Sequence, residues 1–245
     1  MEQKISISKL IPFSGILAAG FIIAVIIGGI FFYSIRALDN SLSVTGSATR
    51  EVTSDSVKWD SQISRNVKVS TLKAGYAQMA TDIIAVSAFL KDKGITQDQI
   101  TISPVFMDQN YNSNQQSGAE QDYTLRQTIE VNSQDVQKIT DIAKSTKSLI
   151  DQGVVFSTQS LQYFYSKLPD TRVELLSDAV KDAQARAGKL AESSGKKVGS
   201  LKAATIGVVQ VLPVNSVDVS DYGTYDTSQI QKEVMVTVRA SFTLK

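Results

Sequence analysis

Between Lys9 and Arg36 the chain runs for 26 residues without a charge, including the continuous apolar stretch 20–32. A helix needs roughly 20 apolar residues to cross a bilayer core, so residues 10–35 read as one transmembrane helix. After it, two periodicities alternate. Val57, Trp59, Ile63, Val67 and Val69 hold odd positions with Lys58, Asp60, Gln62, Asn66 and Lys68 between them, the pattern of a strand with one buried face. With Ser70 as N-cap, Leu72, Tyr76, Met79, Ile83, Val86 and Leu90 then recur at helical spacing up to Gly94, a glycine stop. Gly75 inside that helix costs about 1 kcal/mol relative to alanine and predicts close packing.

Residues 100–107 and 123–131 read as a hairpin joined by the polar stretch 108–122, and a second helix starts at Ser133 and runs through Val136, Ile139 and Ile142. An aromatic strand at 161–165 and a turn at Pro169-Asp170 precede a third helix. Its predicted buried stripe is Val173, Leu176, Val180, Ala183, Ala187 and Leu190, and it ends at Gly195. A strand over 201–212, a polar loop over 213–231 and a final strand close the chain. In the last, Val234, Val236, Val238, Ala240, Phe242 and Leu244 alternate with polar residues.

The order strand, helix, strand, long polar loop, strand thus occurs twice. The fold class is α+β: a tail (1–9), a transmembrane signal anchor (10–35), a linker (36–43) and an internally duplicated βαββ-type domain (44–245) with antiparallel hairpins and packed helices. Its halves fall at about 44–132 and 158–245, joined by a helix at 133–147. Both long loops carry tyrosines among small polar residues, Tyr111 in the first and Tyr222 and Tyr225 in the second. Loops of this length are contact sites or solvated tips.

Charge and composition remove most chemistry. The chain has no Cys and no His, which excludes thiol nucleophiles, histidine bases, Ser-His-Asp triads and zinc sites built on either residue. No cofactor is implied. Of 25 basic and 24 acidic residues, 22 and 23 remain once 1–36 is set aside, and their even mixing gives no nucleic-acid footprint. Asp108-x-Asn110-x-Asn112 opens like a calcium loop but has Ser113 where the turn needs Gly and Ala119 where a bidentate Glu belongs. Ser70-x-x-Lys73 matches an acyl-enzyme pattern, yet Ser193-x-x-Lys196 does too, without the companion motifs. Asp178 with Lys181, and Asp182 with Arg186, read as exposed ion pairs on a helix.

The apolar stretch is too long for a cleaved signal, and 34–38 is a poor cleavage site. Lys4 and Lys9 against Arg36 and the more distant Arg50 favour an inside tail and an outside domain. Gly20, Ala24 and Gly28 recur every fourth residue, a small-xxx-small face that lets two membrane helices approach; Gly and Ala are also simply common in such helices.

Val44-Thr45-Gly46 after the anchor, Leu149-Ile150-Asp151-x-Gly153 before a strand, the alanine row Ala179, Ala183, Ala187 and Ala191, and the alternating last strand together resemble the SIMPL-domain family of bacterial extracytoplasmic proteins. Ser54-Asp55 stands where that family often has Pro-Asp. The resemblance implies an outward-facing domain of βαββ-like halves, ring-like or channel-like oligomers in some members, and links to envelope or oxidative stress; it supplies no catalytic residues. The expectation is a non-enzymatic protein of the cytoplasmic membrane with its soluble domain on the periplasmic side. It would act by homo-oligomerisation or by binding an envelope protein. The alternative is a small-ligand binder or hydrolase using only carboxylate, hydroxyl and lysine side chains.

Overall fold

The computed structural model of the chain describes residues 10–38, 40–110, 120–216 and 222–245. The helix α1 spans Leu10–Leu38, three residues beyond the expected anchor, and its window Leu17–Ser34 is long and apolar enough to cross a membrane. As a single N-terminal apolar helix it fits a membrane anchor or a signal sequence.

The soluble part is α+β with antiparallel sheets and divides into two compact units. Its elements are β1 (Ser41–Thr53), β2 (Ser56–Lys68), α2 (Leu72–Asp92), β3 (Ile100–Ile102), β4 (Phe106–Gln109), β5 (Asp122–Ser133), α3 (Val136–Lys144), α4 (Lys147–Asp151), β6 (Phe156–Phe164), α5 (Leu168–Ser193), β7 (Val198–Pro213) and β8 (Gln231–Leu244). Strands β1, β7 and β8 and helix α5 each pass from one unit into the other.

The larger unit, Thr49–Leu175 with Val208–Val236, holds a five-stranded sheet in the order β3-β5-β2-β6, with β4 also on β5. Trp59 pairs with Val131 on one side and Leu161 on the other. The apolar positions of β2 and β5 face α2, α3 and α4. Trp59, Ile63, Leu125, Ile129, Met79, Ile139 and Leu149 are fully buried there, and Trp59 meets Phe156 edge to face at 5.9 Å. The polar positions carry hydrogen bonds on the opposite face, including Lys58 to Glu130 at 2.8 Å. Gly75 is closely packed as expected, since a Cβ there would collide with Val67 and lie 3.2 Å from Leu125. Gly94 adopts φ +74°, the left-handed stop. Ser70 is not the N-cap. It lies in a 3₁₀ turn, Thr71 holds the cap position, and the Ser70 N–H donates to Glu120.

The smaller unit comprises the described residues up to Ala48, Leu176–Gly207 and Thr237–Lys245. Within it α5 lies on β1 and β8, burying Ala179, Ala183 and Ala187 against Val44, Val238, Ala240 and Phe242. The expected α5 stripe is corrected. Val173 is 67% and Leu190 52% exposed, and the fully buried row is Leu175, Ala179, Ala183, Ala187 and Ala191.

Strand pairing crosses the expected boundary between halves. β1 joins β8 and β7 in a three-stranded sheet in the order β1-β8-β7, and β6 joins β2. At the family departure, the Ser54 N–H donates to the Ile230 carbonyl (2.9 Å), a bond that proline would not make.

Candidate functional site

Among the described residues after α1, the first half of β7 is the longest exposed stretch. Gly195 (φ +71°) closes α5, with the Lys196 N–H on the Ala191 carbonyl at 2.9 Å, and the chain turns into β7. Because α5 covers β1 and β8 and meets β7 only near Val198, residues 200–207 are exposed without interruption, Leu201 and Ile206 included. Among the described residues β7 ends the sheet order. The inner edge is tight. A Cβ on Gly199 or Gly207 would lie 3.1 Å from the Thr243 carbonyl or 3.2 Å from that of Thr237, with both threonine hydroxyls closer still.

The other end strand is guarded differently. Asp182 of α5 accepts the Ser47 N–H of β1 at 2.8 Å and pairs with Arg186 at 2.8 Å. The Ser47 hydrogen bond, with help from Arg186, holds the Asp182 carboxyl below its ordinary value. In the larger unit the far end of β7 is covered too: the Val211 N–H donates to the Thr224 carbonyl (2.7 Å) and the Asp226 N–H to the Val211 carbonyl (2.8 Å). An exposed end strand is a template on which another chain can pair.

Two of the three loop tyrosines come together. Tyr222, 97% exposed, and Tyr225 border a shallow depression of about 270 Å³ with Arg172, Val209 and Val211. The Tyr225 hydroxyl accepts the Tyr165 N–H at 2.9 Å, and its ring lies 6.1 Å from Phe164, so Tyr225 pins a turn as well as lining a surface. Tyr111 lies outside the described residues. Gly20, Ala24 and Gly28 share one exposed face of α1, and nothing lies within 4 Å of a Cβ on either glycine. The structure does not join them to the tyrosines.

A buried ion pair beneath that loop went unforeseen. Lys232 is fully buried and donates to the Asp226 backbone carbonyl at 2.6 Å and to its carboxylate at 3.2 Å. Burial lowers the lysine's pKa despite the carboxylate. Burial alone would raise the Asp226 pKa, but hydrogen bonds from Ser228, Gln229 and Lys232 hold it below its ordinary value. Asp226→Ala strands the ammonium and is expected to cost about 3–5 kcal/mol. Lys232→Met leaves Asp226 its bonds from Ser228 and Gln229 and should stay within about 1.5 kcal/mol of the parent. Urea denaturation of both variants decides this, and equal losses would refute the assigned asymmetry.

Chemistry elsewhere is sparse. A depression of about 610 Å³ beside α2 is lined mainly by Ile84, Ala88, Ile95 and Ile100, with Lys91 as its one titratable side chain. Among the described residues no three acidic side chains gather to hold a metal ion. No curated protein matches the chain. The family model described as SIMPL, protein of unknown function (DUF541), matches residues 42–243. Running from within β1 to within β8, that match places the chain in the SIMPL family.

Proposed function

We propose that this SIMPL-family chain is a single-pass protein of the cytoplasmic membrane, with its soluble part on the extracytoplasmic side. It works without catalysis of its own, by self-assembly or by binding another envelope protein, in the stress-related setting that the family resemblance implies. The observation that carries this reading is the exposed half of β7, which ends its sheet among the described residues. Eight consecutive exposed strand residues, 200–207, run for roughly 27 Å. Natural sheets normally cover, charge or shorten such an edge. The helix α1, with Tyr33 exposed at the end of its apolar window, supports anchoring through an interfacial aromatic, and Lys4 and Lys9 support the orientation. We also read the repeated element order as a duplicated βαββ unit whose leading strands, β1 and β6, have exchanged sheets.

A photo-crosslinking residue placed at Ala203 or Leu201 of the full chain in cells is expected to give one discrete adduct. Twice the monomer mass means self-assembly, and another defined mass means a partner. The same probe at Lys189, well exposed on α5, should give none. Absence of any adduct from β7, or the same adducts from Lys189, would sink the reading. The chain lacks Cys, so Ser200→Cys reports sidedness directly: an impermeant maleimide should label it from outside the cytoplasmic membrane.

A further inference from the structure

Three segments far apart in sequence end together beside the exit of α1. Asn40, two residues past Leu38, accepts the Leu244 N–H through its backbone carbonyl at 3.0 Å and donates its side-chain amide to the Leu244 carbonyl at 3.2 Å. Its side-chain oxygen takes the Lys196 ammonium at 3.2 Å. Lys197 and Lys245 exchange both backbone hydrogen bonds, each at 2.8 Å. The left-handed turn at Gly195 makes this possible by reversing the chain from α5 directly into Lys196 and Lys197. Lys196, Lys197 and Lys245 are all exposed. The neighbouring acid Glu192 is already engaged by Lys189 at 3.5 Å, and in sequence Arg36 and Asp39 flank the end of α1 and offset one another.

Position converts this cluster into a surface. The apolar window closes at Ser34 and α1 continues to Leu38. At 1.5 Å per helical residue and about 3.3 Å per extended one, Asn40 stands no more than about 13 Å beyond the hydrocarbon edge. The headgroup layer occupies roughly 5–8 Å of that distance, and a charge acts over about 8 Å at physiological salt.

We propose that Lys196, Lys197 and Lys245 rest on the anionic phospholipid headgroups of the bilayer crossed by α1, so that the smaller unit is held to the membrane surface by charge as well as by its covalent link. The inference depends on α1 spanning the membrane but not on what β7 binds.

The test uses the full chain reconstituted in nanodiscs of phosphatidylcholine alone and of phosphatidylcholine with phosphatidylglycerol, reading acetylation of each lysine by mass spectrometry. In the anionic discs Lys196, Lys197 and Lys245 are expected to react about fivefold more slowly, the factor by which an anionic surface attracts one nearby lysine. Exposed Lys147 and Lys189 should be unchanged, and high salt should erase the difference. Equal reactivity in both discs overturns the proposal. So does equal protection by inorganic phosphate in neutral discs, which would mark a soluble-anion site. A chain that does not stay with the discs overturns the spanning helix itself, and the headgroup contact with it.

Discussion

Gly46→Ala is expected to destabilise the soluble part by about 3 kcal/mol, the upper end of what overpacking a core costs. A methyl at Gly46 would lie 2.8 Å from the Ala183 Cα and closer still to the Ala179 carbonyl oxygen and the Ala183 nitrogen. All three are main-chain atoms of α5, so no rotamer change relieves the overlap and the helix itself must shift. The glycine serves approach and not backbone freedom, because its φ is not positive. Ala179, Ala183 and Ala187, fully buried around it, are the other half of the same requirement. Moving the helix outward would also loosen the contact between Asp182 and the Ser47 N–H. For a chain of this length the loss corresponds to a fall in Tm of about 6–12 °C. Gly188→Ala is the opposite control. Nothing lies within 4 Å of a Cβ there, so it should stabilise α5 by up to about 1 kcal/mol through helix propensity. Thermal unfolding of the detergent-solubilised full chain reads both. An unchanged Tm in Gly46→Ala would mean that α5 does not lie on β1.

The same contact explains what the sequence did and did not disclose. The alternation in β2 and β8, the glycine stop at Gly94 and the close approach at Gly75 are local signals that agree with the structure, except that Val69 lies past β2 in the 3₁₀ turn and is 55% exposed. The buried row of α5 was misassigned because hydrophobicity ranks Val173 and Leu190 above alanine. The helix lies so close to β1 at Gly46 that alanines sit beneath it there, while Val173 and Leu190 turn outward. Exposure of Leu201 and Ile206 was hidden for a related reason. An apolar residue in a strand is assigned to the core by default, and only the three-dimensional course of α5 leaves this half of β7 uncovered. Pairing of β1 with β8 and of β2 with β6 joins residues far apart in the chain, which no periodicity encodes. Lys232 was invisible because a lysine is normally placed in solvent even where, as in β8, it continues the buried alternation of Val234 and Val236, and its partner Asp226 belongs to a loop whose path was unknown.

Two glycines from the motifs that carried the family resemblance therefore have distinct physical roles. Gly46 admits a helix backbone. Gly153, the last residue of Leu149-Ile150-Asp151-x-Gly153, has φ +79°, where any side chain is strained, and it presents its carbonyl to an arginine. Nearby, Leu149 is fully buried and Asp151 pairs with Lys147 at 2.6 Å. Conformation and packing account for these motifs without any ligand.

The arginine that meets Gly153 carries the second large effect. Arg65 of β2 donates to Asp82 of α2 through Nε at 2.7 Å and Nη2 at 2.8 Å, and from Nη2 to the Gly153 carbonyl at 2.7 Å. The Asp82 side chain is 2% exposed, and Gln78 also donates to it at 3.1 Å. The Asp82 hydrogen bonds raise the pKa of the guanidinium, so it stays charged throughout the working range. Arg65→Met abandons a buried carboxylate with a single amide for company and should cost about 3–5 kcal/mol. Asp82→Leu is milder, about 2 kcal/mol, because the partly exposed guanidinium reaches water and keeps Gly153. The double variant removes both charges and is expected to be more stable than Arg65→Met alone, a coupling of at least about 1.5 kcal/mol in the cycle. Additive losses would show that the pair is not coupled. Equal single losses would show that Arg65 is as desolvated as Asp82, contrary to its partial exposure. With the cycle as predicted, this clamp fixes β2, α2 and the turn into β6 as one body.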